Sequence, residues 1–196
     1  MKLGVLALQG DFKEHVKSFS QLGIDTLEIR NPEELSNLNG LVIPGGESTT
    51  ITKLIDIYGF RDAILKSVKQ GMNIWGTCAG MIVVSKRLTD PYPNPLGLID
   101  IEVSRNWYGS QINSFEVAIP FKELGPKVFP GIFIRAPYIS SVDESNKSIK
   151  VLARLSDGTP VAIIQKHKNH KILVTSFHPE LTDDLRVHQY FVKMTE

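Results

Sequence analysis

The segment Asn73-Ile74-Trp75-Gly76-Thr77-Cys78-Ala79-Gly80-Met81-Ile82-Val83-Val84 decides the fold. An apolar run at residues 73–76 leads through two glycines, one on each side of Cys78, into a second apolar run at residues 81–84. This order predicts a buried strand, a sharp turn and a helix, with Gly76-Thr77-Cys78-Ala79-Gly80 as the turn. A strand that feeds directly into a helix is typical of a parallel α/β sheet.

The rest of the first half shows the same alternation of apolar runs and helix-like segments. Strands are predicted at residues 3–8, 26–29, 41–43 and 73–76, and helices at residues 48–57, 62–70 and 78–85. A further helix is predicted between Asp11 and Gly23, with Asp11 and Glu14 as a capping box, while Ser48 or Thr49 fits the N-cap of the next helix. The alternation predicts a doubly wound, mostly parallel sheet with helices on both faces.

The second half of the chain consists mainly of strand-like segments, with few helix signals between them. After a loop with three prolines at residues 89–97, the strand-like segments are residues 98–104, 114–119, 132–134, 150–155, 161–165 and 172–176. The last two are predicted to form a hairpin across residues 167–170, and a final helix is predicted at residues 184–194. We therefore expect one α/β domain over residues 1–196, with added antiparallel strands in the second half.

Composition excludes several classes of protein. Hydrophobic residues make up 42% of the chain and charged residues 22%, the formal net charge is +1 and the pI is about 7.8. A nucleic-acid-binding surface is not expected at this pI, and no apolar run approaches the roughly 20 residues of a membrane span. The single cysteine cannot form an internal disulfide, which favours a cytoplasmic location.

Cys78 is the candidate nucleophile. Glycines on both sides allow a tight turn and leave space for a substrate, and a thiol at a helix N-terminus is favoured in its thiolate form. A lone cysteine is more commonly a buried structural thiol. The flanking pattern nevertheless favours the nucleophile, because it has the form glycine–any–nucleophile–any–glycine.

A histidine and a carboxylate follow the last predicted strand, in Ser176-Phe177-His178-Pro179-Glu180. In an extended segment residues two apart share a face, so His178 and Glu180 would point the same way and Pro179 would stiffen the backbone between them. A general-base histidine needs such an orienting group. The alternative is a strand-end histidine beside a solvated glutamate.

A third segment, Pro44-Gly45-Gly46-Glu47-Ser48-Thr49-Thr50, follows the predicted strand at residues 41–43. Backbone N–H groups at its two glycines would stabilise an oxyanion. A phosphate-binding loop is the rival interpretation, but the Walker pattern is absent; a tight turn before a capped helix is the third. Ligands of parallel sheets bind at the carboxyl ends of the strands, so the residues after positions 8, 43 and 75 should meet in one crevice.

These three segments, in this order, resemble the triad (class I) glutamine amidotransferases. The resemblance implies acyl transfer from the side-chain amide of glutamine to Cys78, with release of ammonia and hydrolysis of the thioester to glutamate. It assigns His178 as the group that takes the thiol proton and donates to the leaving amine, and Glu180 as its orienting group. Backbone N–H groups of Gly46 and Ala79 would hold the oxyanion.

Within that family, the wider set of motifs resembles the glutaminase subunits of pyridoxal 5′-phosphate synthases. The motifs are Leu8-Gln9-Gly10, Gly45-Gly46-Glu47-Ser48-Thr49-Thr50, Arg105-Asn106, Phe115-Glu116, Phe133-Ile134-Arg135-Ala136-Pro137 and His178-Pro179-Glu180-Leu181-Thr182. The residues implied to contact glutamine are Gly46, Glu47, Ser48, Arg105, Ile134 and Arg135. An arginine suits the substrate α-carboxylate and Glu47 its ammonium, and which arginine binds the carboxylate stays open.

The resemblance also implies a partner. The glutaminase would dock on a separate barrel-shaped pyridoxal 5′-phosphate synthase subunit, which receives the ammonia without its reaching solvent. We expect the docking face near Gln9 and the helix that starts at Asp11. No cofactor and no metal are expected in this chain.

Three other functions remain open at this point. The chain could supply ammonia to another acceptor, such as imidazole glycerol phosphate synthase, or be a cysteine peptidase on the same scaffold. It could also be a binding or redox-sensing domain that uses Cys78 as a sensor. Arg105, Arg135 and Glu47 favour a small zwitterionic substrate over a peptide.

The remaining histidines and tryptophans are predicted to be structural. His167 and His170 fit an exposed turn better than a metal site, because no cysteine or carboxylate cluster lies near them in the sequence. His15 and His188 are expected on helix surfaces. Trp75 and Trp107 are expected to be packing residues, with a place in the crevice lining as the alternative for Trp107.

Overall fold

The computed structural model describes residues 1–105 and 114–196, which contain twelve strands and five α-helices. The strands are β1 Leu3–Leu6, β2 Thr26–Ile29, β3 Gly40–Ile43, β4 Asn73–Thr77, β5 Ser85–Leu88, β6 Ile99–Ser104, β7 Ser114–Ile119, β8 Phe129–Ile134, β9 Tyr138–Val142, β10 Ile149–Arg154, β11 Pro160–Lys166 and β12 Lys171–Thr175. The helices are α1 Phe12–Gln21, α2 Ser48–Ile57, α3 Phe60–Lys69, α4 Ala79–Val84 and α5 Arg186–Thr195. Within these ranges no helix has the length and apolar character needed to cross a membrane.

The main sheet has seven strands in the order β10-β11-β12-β4-β3-β1-β2. The neighbours from β12 to β2 are parallel, whereas β10 and β11 join antiparallel. The β11–β12 hairpin closes with the His167 N–H donating to the His170 carbonyl at 2.9 Å. The predicted parallel sheet, the added antiparallel strands and the hairpin are therefore confirmed.

Helices cover both faces of this sheet, as predicted. Leu41 and Ile43 of β3 pack with α2, α3 and α4 on one side. Val42 between them and Trp75 of β4 pack with α1 and α5 on the other side. Because consecutive strand residues point to opposite faces, strands covered on both sides must be apolar throughout, and β3 is buried along its whole length.

Several boundaries differ from the predictions. β1 ends at Leu6 rather than at position 8, and the helix expected at residues 78–85 is the shorter α4, after which the chain turns directly into β5. Neither β5 nor β9 was predicted, although both pair with β6 in a three-stranded sheet. β5 is short and largely exposed, so it lacks the apolar alternation from which strands are recognised.

The predicted N-cap position of Asp11 is confirmed, without the predicted capping hydrogen bonds, whereas the N-cap of α2 is Glu47 rather than Ser48 or Thr49. The Asp11 side chain makes no capping hydrogen bond, and its backbone N–H donates to the Gly45 carbonyl at 3.0 Å. Helix α2 is capped by Glu47, whose carboxylate accepts from the N–H groups of Thr49 and Thr50 at 3.0 and 2.7 Å. A glutamate reaches these donors here because Gln9 holds the Glu47 backbone at 2.9 Å.

The surface positions predicted for His15 and His188 are also wrong, since both side chains are fully buried. Trp75 is fully buried, as expected, and Trp107 lies outside the described residues. His167 is exposed at the turn and stacks on His170 with ring centroids 4.4 Å apart.

Candidate active site

A crevice of about 390 Å³ opens at the carboxyl ends of the parallel strands. Its lining comes from all three predicted strand ends, from the segment after β12, from the end of β6 and from the β8–β9 connection: Gln9, Asp11, Gly46, Glu47, Ser48, Cys78, Ala79, Ile82, Arg105, Ile134, Arg135, Pro137, His178 and Leu181. The volume suits a small molecule. Among the residues that the structure describes, the linings of two larger depressions around Pro130 and Pro126 contain no cysteine, serine or histidine.

Cys78 sits on a strained turn between β4 and α4. Its backbone has φ 47° and ψ −107°, a conformation that L-residues adopt only where the surroundings enforce it. The Cys78 N–H donates to the Thr175 carbonyl of β12 at 2.8 Å, which anchors the turn to the sheet. A side chain at Gly80 would meet the Ile43 carbonyl oxygen at 1.9 Å, so only glycine permits this close approach.

His178 follows β12 and enters the crevice beside Cys78. The backbone N–H of His178 donates to the Ile132 carbonyl at 2.8 Å, which fixes this part of the chain to β8. Its Nδ1 lies 2.7 Å from Glu180 Oε1 and 3.6 Å from Asp11 Oδ2. The imidazole is thus held by a short hydrogen bond to a buried carboxylate, with a second carboxylate nearby.

The structure brings His178 and Glu180 together, but not through the extended segment that was predicted. Pro179–Leu181 forms a 3₁₀ turn, so the backbone coils after His178 and carries the Glu180 carboxylate beneath the ring. Proline suits the first position of such a turn, because its fixed φ is already helical and its missing N–H needs no partner.

The environment of His178 favours its protonated form. Burial alone would lower the pKa of His178, but the hydrogen bonds and charges of Cys78 and Glu180 outweigh it and raise that pKa to about 11. Burial in turn raises the pKa of the Glu180 carboxyl, an effect that the contact with His178 opposes. The geometry therefore favours transfer of the thiol proton to the imidazole.

Charged groups of both signs face each other at the mouth of the crevice. Arg105 Nη2 lies 3.4 Å from Glu47 Oε1. Partial burial works against the charge on Glu47, yet hydrogen bonds from Thr50 and Thr49 keep the pKa of this carboxyl below its usual value. A fixed carboxylate beside an arginine is the arrangement that a zwitterionic ligand can bridge.

The other predicted contact residues also line the crevice. Ser48 is buried at the start of α2, and the Ile134 carbonyl oxygen lies 3.9 Å from Cys78 Sγ. Arg135 has a positive φ of 44°, and its side chain is exposed at the rim. Sequence reasoning missed Asp11 as a wall residue, because an aspartate before a helix is more commonly a cap.

A metal ion does not fit this site. In residues 1–105 and 114–196, the only grouping of potential ligand atoms close enough for one ion is Asp11, His178 and Glu180, within 4.8 Å of one another. A cation there would occupy the His178 Nδ1 that Glu180 holds at 2.7 Å. It would therefore remove the hydrogen bond that orients the ring.

The fold and the crevice together define an α/β protein of the glutamine amidotransferase class, with a cysteine on a strand–helix turn and a histidine–carboxylate pair beside it. The chain belongs to the SNO glutamine amidotransferase family, whose model matches residues 5–196.

Individual relatives match along the whole chain. A protein of Dehalococcoides mccartyi (strain ATCC BAA-2100 / JCM 16839 / KCTC 5957 / BAV1), named pyridoxal 5′-phosphate synthase subunit PdxT, is 50% identical over 100% of this chain and 98% of its own length. A protein of the same name from Carboxydothermus hydrogenoformans is 44% identical over 98% of this chain and 97% of its own length. A crystal structure described as glutamine amidotransferase has a TM-score of 0.88 and 43% identity, covering 100% of this chain and 99% of that one.

Proposed function

We propose that this chain is a single glutaminase domain, residues 1–196, that hydrolyses L-glutamine and delivers the ammonia to a pyridoxal 5′-phosphate synthase barrel subunit. The observation that carries the chemistry is the buried contact of Cys78, His178 and Glu180 in one crevice. The names of the relatives support the acceptor. The lone thiol supports a cytoplasmic location.

In the acylation half-reaction, His178 takes the proton from Cys78 and the sulfur attacks the side-chain amide carbon of glutamine. The carbonyl oxygen becomes an oxyanion. When this intermediate collapses, the carbon–nitrogen bond breaks, the protonated His178 gives its proton to the leaving nitrogen, and ammonia departs. The raised pKa of His178 favours the first of these transfers. Part of the rise comes from the hydrogen bond and the charge of Cys78, which are lost once the sulfur is bonded to carbon, so the imidazolium becomes a stronger acid for the second transfer.

In the deacylation half-reaction, water attacks the γ-glutamyl thioester on Cys78. His178 takes a proton from the water and returns it to the sulfur as the carbon–sulfur bond breaks. Glutamate leaves, and the thiol is regenerated. Glu180 keeps the ring in the tautomer that has its free nitrogen toward the reacting atoms.

Backbone N–H groups of Ala79 and Gly46 are the proposed oxyanion donors. Ala79 is the first residue of α4, so its N–H has no partner within the helix, whereas the Cys78 N–H is already bound to Thr175. In the opposite loop the Glu47 N–H is bound to Gln9, which leaves Gly46 as the neighbouring donor. Two preorganised N–H groups around one oxygen are the usual arrangement for acyl transfer.

Replacement of Glu47 by glutamine is expected to weaken substrate binding. The single amide oxygen can still accept from one of the two N–H groups that the carboxylate caps, but the charge that would receive the substrate ammonium is lost. Loss of one charge-assisted hydrogen bond predicts a KM for L-glutamine raised roughly tenfold or more, with kcat little changed. Steady-state glutamate release measures both constants, and an unchanged KM would remove Glu47 from the substrate-binding set.

Replacement of Gly45 by alanine is expected to lower kcat about 10- to 100-fold. An added Cβ would lie 2.5 Å from Cε1 and 3.0 Å from Nδ1 of His178, so the ring must move. The matched control is Gly40→Ala, where the new Cβ meets Phe191 and Thr195 at 2.8 Å, at the far end of the same strand. The control should lose stability yet keep the kcat of its folded fraction, and equal loss of kcat in both variants would contradict the prediction.

The proposed function is tested by the fate of the amide nitrogen. Glutamine labelled with ¹⁵N in the side-chain amide is supplied to the chain and the synthase subunit, together with a pentose phosphate, a triose phosphate and excess unlabelled ammonium. Delivery without release to solvent predicts ¹⁵N in the pyridoxal phosphate formed. If the labelled ammonia mixed fully with the unlabelled pool, hydrolysis of glutamine by this chain would still hold. Direct delivery to the synthase subunit would be contradicted.

A further inference from the structure

A buried polar chain continues behind the proposed triad into the interior of the protein. Glu180 Oε1 faces His178, while Glu180 Oε2 lies 3.3 Å from Nε2 of His15. The other nitrogen of His15, Nδ1, lies 3.0 Å from Nε2 of His188. His15 Nε2 also lies 3.2 Å from Thr77 Oγ1, one residue before Cys78.

The burial of these histidines demands an explanation, because both side chains have no exposed surface. A buried polar group is costly unless it is hydrogen-bonded. Apolar residues surround the pair: Trp75 packs edge-on against both rings, with centroid distances of 5.3 and 5.0 Å, and Phe19 packs against His188. The two imidazoles are thus polar groups within an otherwise apolar layer.

The contacts select one tautomer for each ring. Burial lowers the pKa of His15 well below its usual value, and burial lowers the pKa of His188 to about 3, so each ring is neutral and has one N–H. If His15 held its proton on Nδ1, its Nε2 lone pair would face the Glu180 carboxylate and His188 would bury an unpaired N–H. The opposite arrangement avoids both costs.

In the favoured arrangement every proton points toward Glu180. His188 Nε2–H donates to His15 Nδ1, His15 Nε2–H donates to Thr77 Oγ1, and Glu180 Oε2 lies 3.3 Å from the same His15 nitrogen. The atoms of this polar chain left without a hydrogen bond among the described residues are then two acceptors, Glu180 Oε2 and His188 Nδ1, and the His15 Nε2–H lies next to the first of them. A buried acceptor without a partner is the commoner exception in proteins.

We infer that His15 is a positioning residue for the hydrolysis, which fixes the Glu180 carboxylate from behind and keeps it ionised as the acceptor for His178. The inference rests on the proposed function. It goes beyond the three-residue constellation, because the Glu180 carboxylate then lies between two imidazoles, hydrogen-bonded to His178 at 2.7 Å and 3.3 Å from the Nε2–H of His15.

The charges around Glu180 define the expected pH effect. His178 lies on its own segment, Asp11 and His15 face it from the start of α1, and Cys78 lies beyond His178 at the end of β4. Strand β8, which also packs on this turn, has no titratable side chain. Burial and Asp11 favour the neutral carboxyl, so loss of the His15 donor should let Glu180 take up a proton at higher pH.

The test compares pH profiles of kcat/KM for glutamate release by the chain with its synthase partner. Changing His15 to leucine or phenylalanine should lower kcat/KM at neutral pH about tenfold and move the acid limb upward by about one pH unit or more. His15→Gln should restore most of the rate, because its amide N–H reaches the Nε2 position. Phe19→Leu, which disturbs the same packed layer at a side chain without polar atoms, should lower thermal stability and leave the acid limb in place.

An acid limb that stays at its original pH in the leucine and phenylalanine variants would overturn the inference and leave His15 a packing residue. If neither variant folds, ¹⁵N NMR of the unmodified chain decides. The inference predicts a neutral His15 protonated at Nε2, and protonation at Nδ1 would overturn it. This second measurement needs no turnover, so a failure of the proposed glutaminase activity is distinguishable from a failure of the inference about His15.

Discussion

Replacement of Cys78 by alanine is expected to reduce glutamate release to the background rate, a fall of roughly 10⁴-fold or more. The Cys78 thiol forms the acyl intermediate in the proposed mechanism, and the strained backbone at Cys78 presents it to the crevice. The variant is expected to fold, because alanine keeps the same Cβ and the anchoring N–H bond to Thr175.

The control for Cys78→Ala is binding of the unreacted substrate. Calorimetric titration with L-glutamine should show that the variant retains a substrate affinity comparable to the KM of the parent protein. Glutamate release by the alanine variant at more than a few per cent of the parent rate would mean that another nucleophile, or water directly, performs the hydrolysis.

Replacement of His178 by alanine is expected to lower kcat by roughly 10³-fold or more. The ring is the proton carrier for both half-reactions, and its contacts with Cys78 and Glu180 raise its pKa to about 11. Without it, the thiol proton has no acceptor and the leaving amine has no donor. Steady-state glutamate release, corrected for the folded fraction, measures the loss.

Substitutions of residues that act together in one mechanism give rate losses that do not add. This distinguishes a His178 that works with Cys78 from a His178 that affects the rate independently of it. The double variant Cys78→Ala/His178→Ala should therefore be no slower than Cys78→Ala alone. A further large fall in the double variant, or wild-type activity in His178→Ala, would contradict the proposed pair and favour the sensor interpretation of Cys78.

The elements that bind the crevice together were predictable from the sequence because their patterns are local. The glycines around Cys78 indicate a tight turn with a close approach of two backbone segments, which the structure shows at Gly80. The apolar runs before this turn predict buried parallel strands. What the sequence did not show is how side chains are used across elements. Asp11 and Glu47 both follow strands at the site. Only the folded chain shows that the Glu47 side chain accepts capping hydrogen bonds from α2, whereas the Asp11 side chain makes none with α1.

The buried histidines are the largest error, and a signal for them existed. His15 lies between Phe12 and Phe19 at spacings of three and four residues, which places all three on one face of α1. His188 similarly precedes Phe191 by three residues in α5. Residue type favoured the surface, whereas helical spacing favoured the core. The burial that the spacing indicates is the one observed, because partners more than sixty residues away in the sequence form hydrogen bonds with the His15 ring.

The covalent intermediate on Cys78 is tested most directly by quenching the working enzyme with acid during turnover of carbon-labelled L-glutamine. Mass spectrometry of the peptide that contains Cys78 then reports whether the label is attached. A labelled γ-glutamyl group on the Cys78 sulfur is expected, and it should accumulate to the extent that hydrolysis of the thioester is slower than its formation. Continued glutamate release with an unmodified Cys78 peptide, or with the label on another residue, would contradict this intermediate.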